Sequence, residues 1–166
     1  MTKEEIITLM KEYKMNKAKL QLCNKEKSKL IKKLDNNIEN EISLGSSGDI
    51  NSFIQSKNSY SDKVGNTVVK AEKRHDDIEK KIKDLDKEIE ELQNKLDEVD
   101  IRLNALYYKE REIVKDFYIE NRSAVDIGTN VYPELFRNKP FISEQSLYNI
   151  RDKAVNFMAR LDIHID

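Results

Sequence analysis

A heptad repeat of apolar residues in the middle of the chain constrains its fold more than any other feature. Between residues 75 and 106, apolar side chains and one histidine recur at spacings of three and four. This spacing keeps a narrow stripe on one side of a helix, and a stripe of this length is typical of a left-handed coiled-coil seam. The a positions are His75, Ile82, Ile89, Leu96 and Leu103, and the d positions are Ile78, Leu85, Leu92, Val99 and Leu106.

Such a stripe needs a partner that covers it. The partner is either the same helix of a second chain, which makes a homo-oligomer through the coiled coil, or the N-terminal helix folded back. The sequence leaves both alternatives open.

The composition favours an all-α fold. Charged residues are 37% and hydrophobic residues 38% of 166 residues, and the mean hydropathy is −0.76. These apolar residues are too few for one large globular core but suffice for long helices with narrow apolar stripes. Glycine and proline are scarce, with four and two residues. They fall in two groups, near 43–66 and near 128–142, and therefore mark the breaks between helices.

These breaks divide the chain into five segments. Residues 1–42 form an N-terminal helix, 43–66 a flexible Ser/Asn/Gly-rich loop and 67–106 the heptad helix. Residues 107–161 form a C-terminal domain, and 162–166 are a tail, with a bend or break expected near residues 107–109. The lysine-rich stretch 16–29 is either a solvated face or a basic surface.

Several classes of protein are not expected. The sequence contains no phosphate-binding loop, no glycine-rich dinucleotide turn and no nucleophile elbow, so we predict no enzyme and no cofactor. Cys23 is the only cysteine and the two histidines have no metal-ligand spacing, so no metal site is expected. The chain lacks a signal-peptide pattern and a long apolar run, which predicts a cytoplasmic protein without a membrane partner.

The C-terminal segment has the helix signals of a helix-turn-helix domain. Ser123 with Asp126 resembles a capping box for a short helix over residues 124–130, and Ser143 is a suitable N-cap for a third helix. Pro133 and Pro140 predict a loop, not a longer helix, between the two. The buried face expected for the third helix is Leu147, Ile150, Ala154, Phe157, Met158 and Leu161.

The order of these elements resembles region 4 of the bacterial sigma factors. The matching features are an acidic-Arg-Glu step at Glu110–Glu112, a small residue at Gly128 and an Ile-Ser step at Ile142–Ser143. With the lysine-rich N-terminal half and the Ser/Asn loop, the layout is similar to the ArpU/RinA-type transcriptional regulators of phages and prophages. The resemblance implies a regulator that binds promoter DNA in a bacterial host cell.

If the domain binds double-stranded DNA, the third helix enters the major groove. The candidates for base contacts are Glu144, Gln145, Tyr148 and Asn149, because amides pair with adenine and a carboxylate accepts from cytosine. Tyr148 has an alternative role, packing on the insertion between the helices. The candidates for phosphate contacts are Arg122, Arg137, Lys139, Arg151 and Lys153. The insertion either forms a small wing that bears Arg137 and Lys139, or alters the turn so that specific reading of DNA is lost.

Two other classes of function compete with this one. The net charge of −1 counts against a generally basic DNA-binding protein, although a locally basic face is compatible with it. A coiled-coil structural or DNA-packaging protein of the small-terminase kind would form ring-shaped oligomers. A module that binds RNA polymerase without reading DNA would lack a steep dependence of DNA affinity on salt.

Overall fold

The computed structural model describes residues 1–46, 60–136 and 141–161, with side chains described for 1–35, 73–136 and 141–161. The fold is all-α, as predicted, with no strand in these ranges. The helices are α1 (Lys3–Ser46), α2 (Tyr60–Asn104), α3 (Tyr108–Tyr118), α4 (Ala124–Asp126), a π-helical turn (Ile127–Val131), α5 (Tyr132–Leu135) and α6 (Glu144–Ala159). The predicted break after the heptad helix is confirmed, because α2 ends at Asn104 and α3 begins at Tyr108.

One compact unit joins the start of the chain to its C-terminal part, Met1–Leu20 with Glu91–Asp166. Its first core cluster contains Ile6 and Met10 of α1, Val99 and Leu103 of α2 and Met158 of α6, each at most 4% exposed. The C-terminal half of α6 is therefore covered by the first turns of α1 and the last turns of α2. In this unit the heptad stripe of α2 packs on α1 of the same chain, and pairing between chains stays a prediction.

Polar contacts fix the pairing of α1 with α2 in this unit. The Tyr13 hydroxyl donates to the carboxylate of Asp100, with distances of 3.0 and 3.1 Å to its two oxygens. Burial raises the pKa of Tyr13, and its hydrogen bond to Asp100 raises it further. The phenol therefore remains protonated and serves as a donor at neutral pH.

The second compact unit is Gln21–Glu90, which contains the remainder of α1 and the first part of α2. Within it Lys27 Nζ lies 2.5 Å from Asp86 Oδ1, so the two helices are also in contact here. The five heptad positions from His75 to Ile89 are only half-buried, whereas those from Leu92 to Leu106 are buried. The stripe is thus more deeply covered in its C-terminal half.

A second core cluster holds α3, the π-helical turn, α5 and α6 together. Ile113, Ile127 and Leu147 are fully buried in it, and Tyr132 is 5% exposed. Gly128 lies where the π-helical turn crosses α6. A Cβ placed there would be 3.4 Å from Leu147 Cδ1, which is ordinary van der Waals contact, so a methyl group fits at this position. The small-residue role that the sigma-factor resemblance implies for Gly128 stays a prediction.

The loop predicted to begin at Tyr132 is wrong for Tyr132–Leu135, which is helical. Pro133 lies in the first turn of α5, where the missing N–H of proline is tolerated. The preceding turn is widened, since the Tyr132 N–H donates to the Ile127 carbonyl, five residues back. Residues 124–135 therefore form one helical stretch with a π-type bulge in place of a short helix and a loop.

Candidate nucleic-acid interface

Helix α6 begins as the sequence predicts. The Ser143 hydroxyl accepts a hydrogen bond from the Ser146 N–H at 3.2 Å and lies 2.8 Å from the Ser146 hydroxyl. In the same way, the Ser123 hydroxyl accepts from the Asp126 N–H at 3.1 Å at the start of α4. Both predicted N-caps are confirmed, and the first of them fixes which residues open α6.

The buried side of α6 anchors the helix along its length. Leu147 packs in the second core cluster, while Ala154, Val155 and Met158 pack in the first. The expectation that Phe157 belongs to this side is wrong, because its side chain is 47% exposed. Val155 is buried at 3% because it lies nearer to the Leu147 and Met158 side of the helix.

Three of the four candidates for base contacts are exposed at the N-terminal part of α6. Glu144, Gln145 and Asn149 are exposed. The Gln145 side-chain amide donates to Asn149 Oδ1 at 3.4 Å, so the two amides lie side by side, one helical turn apart. Their remaining donors and acceptors face outward, which is the arrangement needed to pair with groups on base edges.

The fourth candidate, Tyr148, is part of the packing between α6 and α3. Its ring centroid lies 5.9 Å from that of Phe117, at an interplanar angle of 35°. Arg151 lies over both rings, with its guanidinium carbon 4.8 Å from the Tyr148 centroid and 5.4 Å from that of Phe117. Tyr148 therefore packs on α3, not on the described part of the insertion.

The candidates for phosphate contacts differ in how far they are engaged within the protein. Arg122 Nε lies 3.3 Å from Asp116 Oδ1 and 3.8 Å from Asp126 Oδ2. Arg151 donates from Nε to Asp152 Oδ1 at 2.8 Å. Lys153 is exposed one turn beyond Asn149. Arg137 and Lys139, and the wing predicted to bear them, lie outside the described residues.

The charge balance of this surface is close to neutral. Residues 107–161 contain nine Lys or Arg and eight Asp or Glu. Arg122 and Arg151 are paired with carboxylates, so of the phosphate-contact candidates that the structure describes, Lys153 is the one that is exposed and has no carboxylate partner there. Sequence reasoning missed both pairings, although the spacing of Arg122 and Asp126 is an ordinary i, i+4 pair.

The chain matches no protein-family model, no curated protein and no solved structure. Within the described ranges, no three His, Cys, Asp or Glu residues are grouped so that they could hold a metal ion. No helix among the same residues has the length and the apolar character that crossing a membrane requires.

Proposed function

We propose that this chain is a sequence-specific DNA-binding transcriptional regulator of the phage or prophage type, with α6 as its recognition helix. The observation that carries the proposal is the pair of outward-facing amides, Gln145 and Asn149, on the exposed side of a helix whose other side is anchored in two cores. A rigid helix with adjacent amides near its N-terminus suits the reading of base edges in the major groove.

Each residue has a defined role in this proposal. Gln145 and Asn149 read adenines, and Glu144 accepts from a cytosine amine. Lys153 contacts phosphate directly. Arg122 and Arg151 reach phosphates while they stay bound to their carboxylates, which positions the domain without specifying a sequence. The Phe117, Tyr148 and Arg151 stack keeps α6 in a fixed orientation on α3.

The test is a selection from a randomised duplex pool, followed by affinity measurements on the enriched sequence. We expect the native protein to enrich a shared motif, and the double variant Gln145→Ala, Asn149→Ala to bind that motif about tenfold more weakly or worse, since each bidentate base contact contributes about 1–3 kcal/mol of discrimination. The matched control removes the same two side-chain types from α2, at the exposed positions Gln93 and Asn94. No enriched motif, or equal losses in both variants, contradicts the proposal.

A second candidate function is a module that binds RNA polymerase without reading DNA. It is favoured by the near-neutral charge of residues 107–161 and by the carboxylate partners of Arg122 and Arg151. Under this alternative the native protein enriches no duplex sequence. Purified RNA polymerase retains the native protein in a pull-down, and it retains the α2 control variant equally well.

A further inference from the structure

We propose that an exposed lysine face of α1 binds the phosphate backbone of duplex DNA without reading its sequence. The face consists of Lys25, Lys29, Lys32 and Lys33. The inference rests on the proposed function in that DNA is the partner, but it concerns a different surface and a different kind of contact. The lysine face lies entirely within the compact unit Gln21–Glu90.

The four lysines share one side of the helix. All are exposed, and their positions, i, i+4, i+7 and i+8, place them together along the helix surface. The buried Cys23 and the half-buried Leu30 and Leu34 mark the other side. Lys27 belongs to that inner side, where it pairs with Asp86 of α2. Helix α2 therefore packs on the other side of α1, and the lysine face is exposed to solvent.

Two exposed carboxylates, Glu26 and Asp35, border this face, but the described stretch 21–35 contains five lysines against these two, so its charge is positive. Among the residues whose side chains are described, none of the four lysines makes an ion pair or a side-chain hydrogen bond. The lysines of the neighbouring α2 segment lie instead among carboxylates of the same helix, such as Glu79, Asp84 and Glu88. Like charges one helical turn apart repel each other, so a polyanion that approaches this face relieves an unfavourable interaction.

Duplex DNA fits this face better than a membrane surface does. At about 1.5 Å per residue, Lys25 to Lys33 span about 12 Å. A duplex carries one negative charge per about 1.7 Å of its axis, so several phosphates lie within that span. A membrane-docking helix needs a broad apolar side with large hydrophobic residues next to its cations. Within the described stretch 21–35 two large hydrophobic residues are exposed, Leu22 at 65% and Ile31 at 41%. Leu22 lies on the lysine face and Ile31 on a different side of the helix, so they do not form a broad apolar side next to the cations.

The lysine face adds cations to those of residues 107–161, where nine Lys or Arg are nearly balanced by eight Asp or Glu. Non-specific affinity for DNA comes almost entirely from Lys and Arg that displace counterions from phosphates. Arg122 and Arg151 are already paired with carboxylates, whereas the four lysines of α1 have no carboxylate partner among the described residues. These lysines are therefore the stronger source of non-specific affinity.

The test measures the affinity for a random-sequence duplex at several salt concentrations. The variant changes all four lysines to glutamine, a residue that keeps helix propensity. If two phosphate contacts are lost, the slope of log affinity against log salt becomes shallower by about 1.8. Between about 50 and 200 mM salt, the native affinity then falls about 12-fold more than that of the variant. Far-UV circular dichroism of both proteins reports whether the fold is kept.

A matched control removes the same charge from α2. Lys80, Lys81, Lys83 and Lys87 are also exposed in this unit, but they lie among carboxylates, and their change to glutamine should leave the salt slope close to native. An unchanged slope in the α1 variant, or an equal change in both variants, overturns the inference. So does a loss of binding to anionic lipid vesicles in the α1 variant while duplex binding stays native.

The Gln145→Ala, Asn149→Ala variant separates this inference from the proposed function. Under both proposals it loses the preference for the enriched motif and keeps the native salt slope on random duplex. Lysine-dependent binding by a native protein that enriches no motif refutes the function and supports the inference. If the native protein prefers a motif but the lysine variant keeps the native salt slope, the proposed function is supported and the inference is refuted.

Discussion

The guanidinium of Arg102 donates a hydrogen bond to the backbone carbonyl of Met158, which joins the end of α2 to the last turn of α6. The same guanidinium pairs with Glu98, at 2.6 Å from both Nε and Nη2 to Oε1. The carbonyls of a last helical turn have no partners within the helix and carry partial negative charge, so a buried cation there both satisfies and neutralises them. Arg102 thereby fixes where α6 ends relative to the last turns of α2.

We expect Arg102→Ala to lower the free energy of unfolding by about 2 kcal/mol, because a buried, charge-assisted hydrogen bond is lost. Glu98 is partly exposed, so water can solvate it after the change and limits the cost. Urea unfolding followed by tyrosine fluorescence measures the effect. Lys95→Ala, at an exposed position of the same helix, serves as the control and should change stability by less than about 0.5 kcal/mol. Equal stability of the two variants would contradict this role for Arg102.

The first turns of α1 are as much a part of the core as α6 itself. Met10 is 1% exposed, whereas Met15, on the same helix, is 49% exposed. We therefore expect Met10→Ala to destabilise the protein by about 3 kcal/mol and Met15→Ala to change its stability by less than about 0.5 kcal/mol. The melting temperatures of the two variants measure this difference, and both variants carry the same Met→Ala substitution. Similar melting temperatures would show that the start of α1 does not hold the C-terminal part in place.

The helical elements of this protein were largely predictable, because they depend on local signals. The hydroxyls of Ser123 and Ser143 located the starts of α4 and α6. The heptad spacing located the end of α2 but not its start, since α1 continues to Ser46 and α2 begins at Tyr60, both inside the predicted loop 43–66. The contacts that join distant parts of the chain were not predictable. Nothing in the spacing around Met10 indicates that it packs with Met158, since an apolar stripe does not specify its partner.

The errors at Pro133 and Phe157 have a similar origin. Proline predicts a helix break only if its N–H would otherwise be needed, and the wide π-type turn before Pro133 removes that need. Phe157 was assigned to the core by its apolar character. In the structure Val155 is buried instead, in the core cluster that α6 shares with α1 and α2. Periodicity alone does not decide which of two residues at the edges of an apolar stripe is buried.

Gly128 provides a test of how closely the π-helical turn approaches α6. A Cβ at this position meets Leu147 at ordinary contact distance, so Gly128→Ala should be tolerated and should add up to about 1 kcal/mol of stability through its better helix propensity. Gly128→Leu extends further into the same space and should cost about 2 kcal/mol by overpacking. The melting temperatures of both variants, compared with Thr129→Leu at the exposed neighbouring position, give the answer. A destabilised alanine variant would mean that an added Cβ at position 128 lies closer to Leu147 than the 3.4 Å of the structure.

Asp116 makes the stability of the candidate DNA-binding region depend on pH. Burial raises the pKa of this carboxyl above its usual 3.8, and the carboxylates of Glu112, Glu120 and Asp126 raise it further, while Arg122 opposes them. The native state therefore holds the proton more tightly than the unfolded chain does. As pH rises from the usual pKa through the raised one, the native state loses stability through this group.

We accordingly expect Asp116→Asn to gain stability relative to the native protein as the pH rises from the usual carboxyl pKa of 3.8 through the raised one, since the amide cannot ionise. Arg122→Ala should steepen the native trend, because it removes the cation that partly offsets burial. Urea unfolding at successive pH values measures both differences. A stability difference between Asp116→Asn and native protein that stays constant over this range would show that the carboxyl titrates alike in the folded and unfolded chain. Its ion pair with Arg122 would then compensate fully for its burial.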